Sequence, residues 1–334
     1  MNININNFYN IIKKKYPDRL HHNKININNI HNANKLDTNF LNNEMSNELN
    51  NYKYIWKILY ENSTIYINSS VYINNDKLLK LYILPVIRRI LFIRNLTNNY
   101  YPIEINIWLS NYKKYLPKNK GDIIDITHVN SGSCTIYDRK DMNGEIYIWR
   151  KEELLKVLLH ELLHSTKVDY HFNHNIDKLV KNKFNINDNI NVNESYTEIL
   201  ATLFHHIINS KNYNDYIKRL NKQIKYSNNQ MNNILIHNGY NDINELLRNK
   251  TNKTNKIFKQ NTSVFSYYIL KTLLLNNNKI FIKFLMDNDL IFHPKNTNKY
   301  YKLLLTSFNK CRIKNGYKDN TKRYIKNNSL KMTI

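Results

Sequence analysis

Between Glu145 and His164 the hydrophobic period of this chain changes abruptly, and no other feature constrains its fold as much. Glu145-Ile146-Tyr147-Ile148-Trp149 is β-branched and aromatic, which reads as a strand. Arg150-Lys151-Glu152-Glu153 follows, and then Leu154, Leu155, Val157, Leu158, Leu159, Leu162 and Leu163 recur at helical spacing. The acids fall where the dipole of a first helical turn favours negative charge, so the helix is expected to open on them. Inside the apolar surround sit three polar groups, His160, Glu161 and His164, which need partners if they are buried.

The three form the pattern H-E-x-x-H. Residues four apart stack on one helical face, so both imidazoles can bind a single Zn²⁺. Glu161, beside the first histidine, can then take the proton of a zinc-bound water as a general base and deliver it to the leaving amine. The bland alternative is two surface histidines beside a glutamate; the leucines around them argue against it. A third protein ligand is required. A histidine six residues beyond His164 would serve, but Tyr170 stands there and Lys167 replaces the glycine that such a pattern carries. His171 and His174 lie in a polar stretch with no defined face. Asn193-Glu194-Ser195-Tyr196-Thr197-Glu198 is the better source: Glu194 as the ligand, with Glu198 one turn on, accepting a hydrogen bond from the far nitrogen of a ligand imidazole.

The rest of the chain fits an α+β fold. Leu79–Leu96 reads as a helix that Pro85 kinks or delays. Residues 103–109 alternate apolar and polar as a half-buried strand, and 133–137 form another before the Asn143-Gly144 turn. Residues 173–193 read as an Asn-rich connector, 194–208 as a helix, and everything from Tyr213 as helix after helix. The expected organisation is an Asn-rich, helical and partly disordered region over 1–75, a small mixed sheet with the active-site helix over 76–170, a helical subdomain carrying the third ligand over 171–309, and a basic tail over 310–334.

The arrangement resembles the gluzincin clan of zinc metallopeptidases, in which H-E-x-x-H is followed by N-E-x-x-x-D/E on a later helix. More closely, Asn130-Ser131-Gly132, the run Ile146 to Glu153, the His-Glu helix and Gln260 to Tyr268 resemble an uncharacterised metallopeptidase family of large DNA viruses. The likeness spans about Tyr101 to Lys271. It implies a zincin-like fold, zinc as cofactor, a peptide or protein as substrate, and hydrolysis with His160, His164 and Glu194 as ligands, Glu161 as base and Glu198 behind them. It further implies that the strand before the active helix, 145–149, is the sheet edge on which an extended substrate pairs, and that Tyr267 or Tyr268 stabilises the oxyanion. The G-x-M-E-N motif of gluzincin aminopeptidases is replaced by Gly144-Glu145-Ile146-Tyr147-Ile148, against an aminopeptidase.

Composition excludes other classes. Two cysteines rule out a disulfide-stapled scaffold and a Cys-rich zinc site, and five glycines rule out Gly-rich phosphate loops. No secretory or membrane-spanning segment is legible, so a cytoplasmic place, in a host cell or virion, is expected. The formal charge is +24, but asparagine fills about a fifth of the chain and lysine, isoleucine and tyrosine are abundant, as AT-rich coding would produce. Lys310, Arg312, Lys314, Lys318, Lys322, Arg323, Lys326 and Lys331, with Tyr317 and Tyr324 among them, could contact nucleic acid weakly. The rival reading is therefore a nucleic-acid-binding or virion structural protein with an inactive H-E-x-x-H. A protease of DNA-bound proteins would join the two.

Overall fold

A computed structural model describes residues 4–17, 19–20, 24–31, 36, 40–136, 144–169, 175–248, 256–288, 297–313 and 329–334. His171, His174, Asn143 and most of the basic tail lie outside these residues. In chain order the first half contains α1 (Ile5–Lys15), β1 (Asn26–Ile30), α2 (Asn43–Asn50), β2 (Tyr54–Tyr60), β3 (Ser63–Ser69), α3 (Asn75–Leu78), α4 (Leu84–Thr97), β4 (Ile103–Trp108), α5 (Ile126–Val129), β5 (Gly132–Thr135), β6 (Glu145–Ile148) and α6 (Leu154–Ser165). Then come α7 (Asn175–Phe184), α8 (Asn193–Ile208), α9 (Tyr213–His237), α10 (Ile243–Arg248), α11 (Lys271–Asn276), α12 (Asn278–Met286) and α13 (Thr297–Ile313). The fold is α+β, and no described helix is long and apolar enough to cross a membrane.

The chain divides into two units. One, residues 9–113 and 130–170, is built on a six-stranded mixed sheet of order β1-β2-β3-β4-β6-β5. β1, β2 and β3 run antiparallel in turn, β3 pairs parallel with β4 and β4 with β6, and β5 returns antiparallel to β6. Half of this sheet, β1 to β3, lies in the Asn-rich region read as helical and partly disordered. Ile55, Trp56, Ile58 and Tyr60 of β2 and Ile65 and Ile67 of β3 are buried, an apolar pattern set within an otherwise asparagine-rich stretch. β4 alternates in sequence, yet Asn106 and Trp108 are buried along with Ile105 and Ile107, because parallel neighbours are covered on both faces.

The expectation that 145–149 is the edge is overturned. β6 is interior, between β4 and β5, and β5 is the outer strand. Which strand lies outermost is decided by pairing across the chain, to which local pattern is blind.

α6 packs on β5, β6 and α4. It does not open on its acids: Glu153 is the cap, held left-handed at φ 63°, and its carbonyl accepts from the amides of Lys156 and Val157 at 2.9 Å. Pro85 does not delay its helix: helical backbone runs unbroken from Asn75 to Thr97. A π-helical turn, Leu79–Ile83, precedes the proline, which sits in the first turn of α4.

The other unit, residues 1–8, 114–129 and 171–334, is mainly helical in its described part. The expected connector over 173–193 contains α7, whose Ile176, Val180 and Phe184 recur every four residues and are buried. α8 is buried almost all round. A second π-helical turn, Phe265–Leu270, leads into α11. Within segment 329–334, the end of the expected basic tail, Leu330, Met332 and Thr333 are buried while Ile334 is exposed.

Candidate metal centre

The strand-to-helix passage that aims α6 is pinned by two serines. The Ser110 hydroxyl donates to the Trp149 carbonyl, the Lys151 amide donates to the Ser110 carbonyl at 3.1 Å, and the Trp149 amide to the Ser131 carbonyl at 3.0 Å. Trp149 and Arg150 are buried there. Along α6 the helical repeat then stacks His160 and His164, and their Nε2 atoms lie 3.0 Å apart. Helix α8 supplies Glu194 from its first turn. That turn is fixed by Asp177, whose carboxylate accepts from the Val192 amide at 2.8 Å, by Ser266, which donates to the Asn191 carbonyl at 2.7 Å, and by the hydrogen-bonded hydroxyls of Ser195 and Tyr300 at 2.8 Å.

One ligand atom each from His160, His164 and Glu194 lies within 4.8 Å of the other two. A tetrahedral ion with bonds of roughly 2.0–2.1 Å separates its ligand atoms by about 3.3 Å. The histidine pair already has that spacing, and the set as a whole suits one metal ion.

Asp169 completes the arrangement, and the sequence reading missed it. Its Oδ2 lies 2.8 Å from Nδ1 of His164, and its side chain is 2% exposed. With Nδ1–H donated to a carboxylate, the lone pair of His164 belongs to Nε2, the nitrogen facing His160. The helix end makes this possible. Lys167 adopts φ 61°, its amide reaches the His164 carbonyl at 2.8 Å, and the Val168 amide reaches the Leu163 carbonyl at 3.1 Å. The turn folds the chain back so that Asp169 meets the histidine. An acid just past the helix was the available signal, though a lysine in the left-handed position hides the turn.

Glu161 is buried and lies against β5. A Cβ built on Gly132 would stand 2.9 Å from Glu161 Oε1 and 2.8 Å from Val157 Cγ1, so the glycine permits the outer strand to approach this carboxylate. Cys134, two residues along β5, has its thiol pKa pushed up by burial and by the Glu161 and Asp169 carboxylates.

Glu198 is buried one turn beyond Glu194, with the Lys271 ammonium 3.6 Å from its Oε1. Tyr268 is buried and its hydroxyl donates to the Leu330 carbonyl at 2.6 Å. Tyr267 is half-buried in the π-helical turn.

No protein-family model, curated protein or solved structure matches this chain.

Proposed function

We propose that this chain is a zinc-dependent peptide hydrolase of gluzincin type, with His160, His164 and Glu194 as ligands and Glu161 as general base. The observation that carries the reading is the approach of Glu194, from a helix distant in sequence, to the H-E-x-x-H histidines, within 4.8 Å. An ordinary acidic pair at a helix start has no reason to meet them. The order outer antiparallel strand, inner strand and active helix also suits a zincin-like fold.

A zinc ion held there would supply Lewis acidity toward a carbonyl oxygen and toward water. Glu161 accepts a proton at its carboxylate and passes it to the departing amine; its burial beside Gly132 keeps that carboxylate close to the strand where a substrate would lie. Asp169 holds His164 in one tautomer and one orientation. The outer backbone of β5 is the surface we assign to substrate, since an added strand gains main-chain hydrogen bonds whatever its sequence. Of the two tyrosines, Tyr268 has its hydroxyl proton engaged by the Leu330 carbonyl, against a role at the oxyanion.

The test is metal quantitation with cleavage of an unbiased peptide library. The chain should carry about one zinc, the three-ligand expectation, and the double variant His160→Ala/His164→Ala should carry none. Glu161→Gln should keep the metal while hydrolysis falls about 10²–10⁴-fold, the range of a lost general base. Full zinc in the double variant refutes the site. Parental turnover by Glu161→Gln refutes the mechanism, and zinc without cleavage of any peptide refutes the enzymatic half in favour of a binding protein.

A further inference from the structure

Segment 329–334 is held in an unusual way. Four successive carbonyls, those of Ser329, Leu330, Lys331 and Met332, each accept a hydrogen bond from a side chain. Gln230 Nε2 donates to Ser329 at 2.9 Å and to Lys331 at 2.8 Å, and the Tyr226 hydroxyl also donates to Lys331 at 2.9 Å. Tyr268 takes Leu330 at 2.6 Å, and Gln223 Nε2 takes Met332 at 2.8 Å. Gln223 Oε1 accepts the Ile334 amide at 3.2 Å. Side chains that read main-chain groups are how proteins grip an extended peptide. Here the apolar contribution comes from Leu330 and Met332, both buried.

Through Lys271, at the start of α11, the same segment is linked to the helix that carries Glu194. Lys271, 2% exposed in its side chain, donates to the Met332 carbonyl at 3.3 Å and faces Glu198 Oε1 at 3.6 Å. A buried ammonium and carboxylate keep their places only while further hydrogen bonds satisfy them and water stays out. The segment supplies one acceptor and covers the pair. Its departure would remove that acceptor, admit water and weaken the attraction that fixes Glu198, one turn from Glu194 on α8.

We infer that segment 329–334 is an internal peptide ligand whose seating positions Glu194 through Lys271 and Glu198, so that metal affinity follows occupancy of its groove. Lys271 is on this account a positioning residue. The inference rests on the reading of Glu194 as a metal ligand, and the experiment separates the two.

In the full chain, Leu330→Asp/Met332→Asp buries two charges in the groove and should unseat the segment. Zinc affinity, read by chelator competition, should fall about 10–100-fold, the effect of losing the support behind a ligand, while circular dichroism stays unchanged. The free peptide Ser-Leu-Lys-Met-Thr-Ile should restore the affinity saturably. Lys271→Met should lower affinity in a way that the peptide does not repair, and Lys271→Arg should recover part of it. Unchanged zinc affinity with the segment unseated overturns the inference. So does a chain that unfolds and is not rescued by peptide, because the segment would then be ordinary core. Anisotropy of the labelled peptide on the double variant reads the groove without metal. A parent that binds no zinc, beside a variant that binds peptide, condemns the metal reading instead.

Discussion

Replacing Gly132 by alanine inserts one methyl group between β5 and α6. The new carbon would lie 2.8 Å from Val157 Cγ1, 2.9 Å from Glu161 Oε1 and 3.1 Å from Glu161 Cγ. Carbon contacts settle at about 3.5–4.0 Å, so the strand and helix must part by roughly half an ångström or more. Gly132 is not in a left-handed conformation, so the effect is steric and not one of backbone freedom. Val157 is a short branched side chain, packed 4% exposed, and yields little. The easiest relief is rotation of the Glu161 carboxylate, the group proposed to move the proton. Overpacking of this kind costs about 1–3 kcal/mol. A misplacement of about 1 Å at a reacting group costs about 10²-fold in rate; half that displacement should lower kcat about tenfold or more, with zinc content unchanged. The assay is kcat on any cleaved peptide, with zinc quantitation and a thermal melt. Gly121→Ala is the control: at φ 88° with open space around its Cβ it should lose about 1 kcal/mol of stability and no activity. Parental kcat and parental melting in Gly132→Ala would show that β5 relaxes freely, and the steric reasoning would fail.

Asp169→Asn should weaken zinc binding about 10–100-fold by chelator competition, because an amide no longer draws the Nδ1 proton of His164 with a full charge; unchanged affinity would remove Asp169 from the centre. His206 is held neutral, its pKa lowered to about 4 by burial and by the Arg219 and Lys271 charges, against a hydrogen bond to the Gln223 side-chain oxygen that raises it. The unfolded chain therefore binds a proton on this group between pH 6.5 and about 4 that the folded chain does not. Stability should fall as pH drops through that window, by up to about 3 kcal/mol, measured as the urea midpoint, and His206→Asn should flatten the slope.

What could be read from the sequence was local. The H-E-x-x-H helix, the acidic start of α8 and the strands at 103–108 and 145–148 carry their periods openly. What escaped had one of two causes. Asparagine disguised β1 and α7: in Asn-Ile-Asn-Asn-Ile the strand pattern is thin, and in α7 the three buried apolar residues are spread among polar ones; β2 and β3, Tyr-Ile-Trp-Lys-Ile-Leu-Tyr and Ser-Thr-Ile-Tyr-Ile-Asn-Ser, carry their strand pattern openly and were lost only because the whole stretch 1–75 was read from its asparagine composition. The other misses are long-range. That β5 lies outside β6, that Asp169 returns to His164, and that 329–334 is gripped by residues of α9 and the π-helical turn are pairings with no period to announce them.

β1 has a consequence for how copies of this chain behave together. It closes the sheet on the side away from β5, and among the described residues no strand pairs with its outer flank. Natural edges are usually blunted by lysine, proline or a bulge. β1 offers only asparagine and isoleucine, with Asn26, Asn28 and Asn29 exposed, and uncharged asparagine rows stack readily into cross-β ladders. The charge of +24 over the whole chain opposes the pairing of one copy with another, a repulsion that reaches only about 10 Å in 0.1 M salt. The lysine content thus acquires a colloidal role, and added salt should bring the edges within reach of each other.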